Sequence, residues 1–591
     1  MVHLCFIHIY GFRVLNGIDV TFDHRYSFKV SDGVLTIRRA DVLPRGFWGR
    51  GIHSLTAIMG NNGAGKTTAL RFLMNALVDG NNAHEAPGVI VYEEGGRLYI
   101  YQPSAEKWPQ LRIDSEVDYE TCGLKKKRAL YYSGHFQPYR SAEDADEFET
   151  SGNYVATDQW LLIKDLTDYS NVDSLHMTHS LFRHLSAYHA QNQYRICELL
   201  TIPGLEELVP DFRWPQFIIF GPNISAVAAI EEQEKQGRSF DIPQELPISE
   251  DDDQISVGRL IYNNVLCMIA ENRGKQEELE NLLHEWQKTK KEGDVLDAFE
   301  ILVTNLKLSA ETFESLNSEI YILRKLMSIC HYSKDGNVFY LNVKREKELL
   351  KRLNDEILKS NFYLTARFFD MFYTHGLSYY SKLSSGEQAF LNLLSRLYFG
   401  ITLLPLKKGD DNPSLILLDE AEIGFHPNWQ RQYVDLLLKF LQMMRVRADV
   451  DFQVVITSHS PIILSDIPRC CVTFIKRDEH SGLSSNEDEE ETYGQNVFNL
   501  YRRAFFMENG LVGSFASARL RHLFDKARRG ENDADMMKEV ELIGDERIKD
   551  ALLYEIGNHN YDVARNYYQQ KLDELERRRM NEEDRPEQDS L

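Results

Sequence analysis

Nine consecutive residues, Gly60, Asn61, Asn62, Gly63, Ala64, Gly65, Lys66, Thr67 and Thr68, have the types and spacing for chemistry on phosphate. The apolar run 55–59 precedes them and the apolar-periodic stretch 69–74 follows. This order predicts a strand, a glycine-rich turn and a helix. Glycines let the backbone fold tightly enough to aim its N–H groups, with those of the helix start, at a chain of phosphates. Lys66 is placed to reach the β- and γ-phosphates, and the Thr67 hydroxyl to ligate Mg2+. A nucleoside triphosphate site is expected here.

Three later stretches fit the same chemistry. Residues 414–420 read Ser-Leu-Ile-Leu-Leu-Asp-Glu, a continuous apolar run of the kind a parallel strand needs when both faces are covered. Asp419 at its end can hold the Mg2+ shell, and Glu420 can orient or deprotonate an attacking water. Strand-end carboxylates are ordinary by themselves; downstream of a phosphate loop they gain this second meaning. Ser384 and Gly386 stand just before the apolar-periodic stretch 389–394, where a helix start presents N–H groups and a hydroxyl to an anion. A plain helix cap, with Glu387 answering Ser384 in a capping box, explains that spacing equally well. Residues 454–461 form a second apolar strand ending at His459, placed for a γ-phosphate contact.

Behind these residues the chain alternates sheet and helix. Residues 2–13 alternate apolar and polar side chains as an edge strand does. Residues 18–22 and 26–30 read as further strands, and 89–92 with 98–101 as a hairpin through Glu94-Gly95-Gly96. Residues 129–133 read as a strand. The basic cluster Lys125-Lys126-Lys127-Arg128 before it is expected to be a solvated loop, with a phosphate or nucleic-acid contact as the alternative. Helical periodicity dominates 160–380, interrupted by strand-like 217–220 and 338–341; amphipathic helices are expected from 277 and over 344–359. The acidic run 486–491 reads as a solvated linker. The domain boundaries implied are 1–160 and 381–480 for two halves of one head, 161–380 for a helical insertion, 481–495 for a linker and 496–591 for a helical tail.

Composition sets outer limits. The 591 residues suggest about four domains. With 43 % hydrophobic and 27 % charged residues, a globular protein with ample core is expected. A net charge of −23 argues against a body coated in nucleic acid. The seven cysteines show no Cys-x-x-Cys spacing, which reads as reduced structural thiols and gives no zinc signal. No run approaches the roughly 18 apolar residues of a membrane span, and the start lacks the shape of a signal peptide. A cytoplasmic enzyme without a membrane partner is expected.

The series of phosphate loop, Gln137, the 383–387 turn, Asp419, Glu420 and His459 resembles the ATP-binding-cassette ATPases, and within them the soluble SMC-, RecF- and OLD-type branch. That resemblance implies an α/β fold: a P-loop head with a mixed sheet and antiparallel flank, a helical insertion and a C-terminal helical tail. It implies ATP as the nucleotide and Mg2+ held by Thr67, Gln137 and Asp419. Gln137 becomes the Q-loop glutamine, His459 the switch histidine, Ser384 and Gly386 part of the signature, and 422–427 the D-loop region. A head-to-head dimer with two sandwiched ATP molecules follows, extendable to higher oligomers. Ser385 departs from the usual signature, replacing its first glycine.

The insertion and the tail stretches 493–500 and 504–507 are similar to the ATPase subunits of Septu-type antiphage systems (the PtuA family), retron-associated versions included. This implies a separate HNH nuclease partner and, in retron versions, a reverse transcriptase with its DNA and RNA. The competing reading is a RecF- or SMC-like repair clamp on duplex DNA. No nuclease site is expected within the chain: Asp533 and Asp535 lie in a polar helical stretch with no strand before them, and His559-Asn560 lacks a hairpin.

Overall fold

Seven strands make the sheet that carries the phosphate loop in the computed structural model. Their order is Tyr154–Ala156, Ala129–Ser133, Ser414–Asp419, Phe452–Ser458, Ile52–Gly60, Val472–Arg477 and Ser484–Glu487. All neighbours run parallel except the last pair, which is antiparallel. The structure describes residues 2–77, 86–125, 127–134, 154–156, 192–210, 212–222, 252–271, 276–288, 294–333, 338–358, 369–377, 381–403, 414–478, 481, 483–487, 491–503, 513–531, 533–562, 565–569, 572–573 and 576.

Central parallel strands bury both faces, which is why they read as unbroken apolar runs. Every residue of Ser414–Asp419 and Phe452–Ser458 is buried. Alternate side chains feed two different cores. Ile416, Leu418, Val454 and Ile456 join the core that includes helices Ser385–Leu403 and Pro427–Ala448. Leu415, Leu417 and Val455 join the core under helix Lys66–Leu77. The register sets Asp419 beside Thr457 and Ser458 beside Met59. Three strands therefore end together, and their C-terminal edge is where parallel sheets hold ligands.

Five more strands form an antiparallel flank in the order Ile18–Thr21, Val2–Ile9, Gly88–Glu94, Arg97–Tyr101, Tyr119–Thr121, its last pair parallel. Val2–Ile9 is not an edge strand: it pairs on both sides and all eight residues are buried. Its polar members are paired rather than solvated, His8 Nδ1 with Asp19 Oδ1 at 2.6 Å and His3 beside Glu93. The expected 88–101 hairpin is present. Tyr26–Ser31 belongs instead to a separate three-stranded sheet with Val34–Arg39 and Arg112–Ser115.

The basic cluster differs from expectation as well. Lys127 and Arg128 are buried, Lys127 donating to the Val2 carbonyl, while Lys125 bonds Glu94 and covers the Tyr99 ring. Lys126 lies outside the described residues. The acidic run 486–491 begins inside a strand, Ser484–Glu487, that pairs with Val472–Arg477, and Asn486 Oδ1 accepts from the Asp19 N–H at 2.6 Å; residues 488–490 lie outside the described residues.

The middle of the chain holds more sheet than its helical period suggests. Strands His331–Ser333, Val338–Asn342, Phe217–Pro222 and Phe369–Thr374 pair in that order into an antiparallel sheet. Around it stand helices Asp252–Glu271, Gln276–Lys288, Val295–Asn305 and Ala310–Ile329. The helix expected over 344–359 is Lys347–Leu353 running into a π turn, Asn354–Leu358.

The described chain divides into two compact units, 1–505 and 506–591. The second is a helical unit of Ser514–Arg528, Ala534–Glu541 and Glu546–His559 around Leu523, Met536, Val540, Leu552 and Ile556. Asp533 caps helix Ala534–Glu541, accepting from the Met536 N–H at 2.7 Å, and His559 ends helix Glu546–His559. No helix among the described residues is long and apolar enough to cross a membrane.

Candidate active site

The phosphate loop is a tight turn braced from two sides. Gly63 and Gly65 take positive φ values of 75° and 100°, a region that favours glycine. A Cβ on Gly65 would lie 2.6 Å from Leu15, and one on Gly60 would run into the Ile475 carbonyl. The loop closes with Ala64 N–H to Asn61 O at 3.1 Å, leaving Asn61, Asn62 and Gly63 exposed. Ser484, a residue the sequence did not single out, donates from Oγ to the Ala64 carbonyl at 2.6 Å. Helix Lys66–Leu77 starts directly from this turn; Thr68 lies in its first turn, and Ala69 N–H bonds Gly65 O at 2.9 Å.

Lys66 is only 5 % exposed, and its ammonium is the hub of the site. Nζ donates to Gly60 O at 3.2 Å and Asn61 O at 3.4 Å, lies 3.5 Å from Glu420 Oε1 and touches His459 Nε2. Burial lowers its pKa and the Glu420 carboxylate opposes that shift. His459 Nε2 in turn sits 3.0 Å from Glu420 Oε1. Three groups predicted from separate stretches thus meet at one point.

Asp419 collects three hydroxyls. Thr67 Oγ1 donates to its Oδ2 at 2.9 Å, Tyr131 to Oδ2 at 3.0 Å, and Thr457 Oγ1 to Oδ1 at 2.6 Å. Tyr131 and Thr457 were illegible as site residues, since each sits within an apolar strand pattern. Glu420 follows with φ of 48°, a strained conformation for a side chain with a Cβ. Its N–H reaches both the carbonyl and the hydroxyl of Thr457 at 3.1 Å. Gly134 must be a glycine here: a Cβ would stand 2.5 Å from the Glu420 carbonyl.

The 384–387 turn is a capping box. Ser384 N–H and Oγ donate to Glu387 Oε2 at 2.7 and 2.8 Å, and Glu387 N–H returns to Ser384 Oγ at 3.3 Å. His375 Nε2 bonds the other Glu387 oxygen at 2.9 Å. Ser384 and Ser385 remain exposed, so the cap does not consume the surface of the turn. A Cβ on Gly386 would lie 2.9 Å from the Gly424 carbonyl and 3.1 Å from Trp429. The close approach of the 422–427 loop is what requires glycine there. Within that loop Glu422 is buried and takes a hydrogen bond from Ser458 Oγ. Gln137 lies outside the described residues.

Oxygen donors suit Mg2+. The Thr67 hydroxyl and the Asp419 carboxylate face each other at hydrogen-bond distance beside the phosphate loop, so the residues present fit that ion.

Residues 300–465 match the family model described as "AAA domain, putative AbiEii toxin, Type IV TA system". The match takes in Ser384, Gly386, Asp419, Glu420 and His459. Over 143 residues the chain is 30 % identical to protein ea59 of Escherichia phage lambda, covering 24 % of each. The chain thus spans about a quarter of the length of that curated relative. Among solved structures it matches ATP-bound RecF, the recombination mediator protein of the RecFOR pathway, at 11 % identity and a TM-score of 0.21. That alignment covers 82 % of this chain and 99 % of the other, and at such a score it bears no weight on the fold. Residues 300–465 are similar to AAA domains, and the 60–68 loop lies beside that stretch, Thr67 bonding Asp419.

Proposed function

We propose that this chain hydrolyses ATP with Mg2+, closes head to head on a second copy, and controls a separate nuclease in a bacterial antiphage complex. The observation that carries the hydrolysis is the meeting of Lys66, Glu420 and His459 within 3.5 Å, beside the Thr67–Asp419 pair.

Each residue then has a task. The exposed N–H groups of the 61–63 turn and the start of helix Lys66–Leu77 receive the phosphates. Lys66, freed from Glu420 by an incoming γ-phosphate, neutralises charge at the β- and γ-oxygens. Glu420 then orients the attacking water and accepts its proton, while His459 holds Glu420 and the γ-phosphate in register. Mg2+, when bound, supplies charge neutralisation at the phosphate oxygens from Thr67 and Asp419. Ser384 and Gly386 stand at an exposed, pre-capped helix start, a surface able to close over the γ-phosphate of a second copy.

The defence role is supported by the family description, which names a toxin of a TA system, and by the likeness of the tail stretches to Septu-type subunits. The expected partners are an HNH nuclease and, in a retron setting, a reverse transcriptase with its nucleic acid. The test is native mass spectrometry of a Glu420→Gln variant with Mg2+ and ATP, beside a pull-down of the native chain from its own operon. A dimer holding two ATP molecules and a co-purified nuclease are expected. A bare chain that captures only duplex DNA, in a salt-sensitive manner, would favour the repair-clamp reading instead.

A further inference from the structure

Away from the nucleotide site, the fold brings together three soft donors from distant parts of the chain. One imidazole nitrogen of His24 and the Sγ atoms of Cys470 and Cys471 all lie within 4.8 Å of one another. Among the described residues they are the one set of three or more histidine, cysteine or carboxylate donors so gathered. We propose that His24, Cys470 and Cys471 bind a thiophilic cation, zinc in particular.

The spacing of the sulfurs is the first argument. Two thiolates at about 2.3 Å from a tetrahedral zinc stand about 3.8 Å apart. Cys470 and Cys471 hold their Sγ atoms 3.8 Å apart. A disulfide is the poorer reading of the pair: adjacent Cα atoms lie about 3.8 Å apart across a trans peptide, below the roughly 4.4–6.8 Å that disulfides span.

Burial is the second argument. His24 is 7 % exposed and Cys471 fully buried, yet among the described residues Nε2 of His24 has no hydrogen-bond partner. A buried imidazole nitrogen left without a partner is costly unless something else takes its lone pair or its proton. Cys470 is half-buried, which leaves a path for an ion to enter. Thiolate and imidazole donors together select zinc and similar soft ions over Mg2+ or Ca2+. The backbone fixes both sides of the cluster: Val42 N–H bonds the His24 carbonyl at 3.1 Å, and Cys471 N–H bonds Pro468 O at 2.8 Å. Three protein donors leave one place on a tetrahedral ion for water.

The position gives the site a consequence. His24 lies in the turn between Ile18–Thr21 of the antiparallel flank and Tyr26–Ser31. Cys470 and Cys471 end a short helical turn that leads straight into Val472–Arg477, which pairs beside the phosphate-loop strand with Val472 opposite Ala57. A bound ion ties the flank to the strand next to the nucleotide site.

The test uses the reduced full chain, stripped of metal by a chelator, with Co2+ as a spectroscopic stand-in and zinc as competitor. One equivalent of Co2+ should produce thiolate-to-cobalt charge-transfer absorption, and zinc should abolish it stoichiometrically while raising Tm. Cys470→Ser and Cys471→Ser should each lose the band and His24→Ala should weaken binding at least tenfold. Cys330→Ser, which removes a buried thiol elsewhere, should keep the band. Should Cys471→Ser fail to fold, the half-buried Cys470 and His24 variants still decide the matter. Absence of the band in the folded native chain, its persistence in both the Cys470 and His24 variants, or an intact mass showing a disulfide would overturn the proposal.

Discussion

Thr67 Oγ1 donates to Asp419 Oδ2 across 2.9 Å, joining residues 352 positions apart in the chain. The phosphate-loop helix and the carboxylate strand are thereby locked in one arrangement, with Thr457 and Tyr131 holding the same carboxylate from its other sides. A carboxylate so fully engaged by hydroxyls is oriented before any ion arrives.

Replacing Asp419 with Asn removes charge while keeping shape. ATP turnover should fall by about 10²–10³, the loss typical when one fixed electrostatic partner of a transition state is removed. The Mg2+ concentration for half-maximal rate should rise as well. A Mg2+ titration of turnover measures both; an unchanged Mg2+ requirement would remove Asp419 from the metal site.

Ser484 braces the loop from a strand outside the nucleotide-binding stretches, through its bond to the Ala64 carbonyl. Ser484→Ala should weaken ATP binding several-fold, in keeping with the roughly 1 kcal/mol of one hydrogen bond. Isothermal titration against a non-hydrolysed ATP analogue reads this, and equal affinities would assign Ser484 to packing alone.

Glu422 makes the fold sensitive to pH. Burial pushes its carboxyl up to about 7, against the Ser458 hydroxyl that pulls it down. A carboxyl raised in this way binds its proton more tightly folded than unfolded. Its contribution is therefore full below the ordinary value of 4.5 and is lost as pH rises through about 7. The amplitude is at most about 3 kcal/mol. Glu422→Gln keeps the bond to Ser458 and removes the titration. The Tm of the native chain minus that of the variant should fall between about pH 4.5 and about pH 7 and level off above; a constant difference would contradict this account.

The proposed dimer makes a prediction that neither copy can satisfy alone. Ser384→Asp keeps a good helix cap but sets a negative charge where a partner's phosphate would lie. Lys66→Ala empties the other half of the site. Each variant should be inactive by itself. Their mixture should recover about a quarter of native activity, since random pairing leaves one intact composite site in half the dimers. No recovery, with both variants folded, would place Ser384 outside a shared site.

Much of the nucleotide site was legible in sequence because its signals are local. The 55–59 run, the glycines and the helix behind them, and the buried strand before Asp419 each declare themselves within a few residues. Long-range pairing was not legible. His3 and His8 made Val2–Ile9 look like a half-solvated edge because their partners, Glu93 and Asp19, come from other strands. Lys127 looked like a surface charge until the Val2 carbonyl was placed beside it. The acidic letters around Asn486 hid a strand whose hydrogen bonds come from Val472–Arg477. The sheet within the 160–380 stretch was half hidden, since His331–Ser333 and Phe369–Thr374 are short runs beside strong helical periodicity. The His24, Cys470 and Cys471 cluster had no motif at all, because its members lie at opposite ends of the unit. The Ser384 turn carried two meanings, and the fold adds the capping box without removing the other.

The most direct test of the central claim is single-turnover cleavage of ATP by the native chain and by Glu420→Gln, with equal ATP bound and Mg2+ present. A loss of about 10²–10⁴ in the cleavage rate, with ATP affinity kept, is what a water-activating carboxylate at this position predicts. Equal rates would contradict it and move the base to another group.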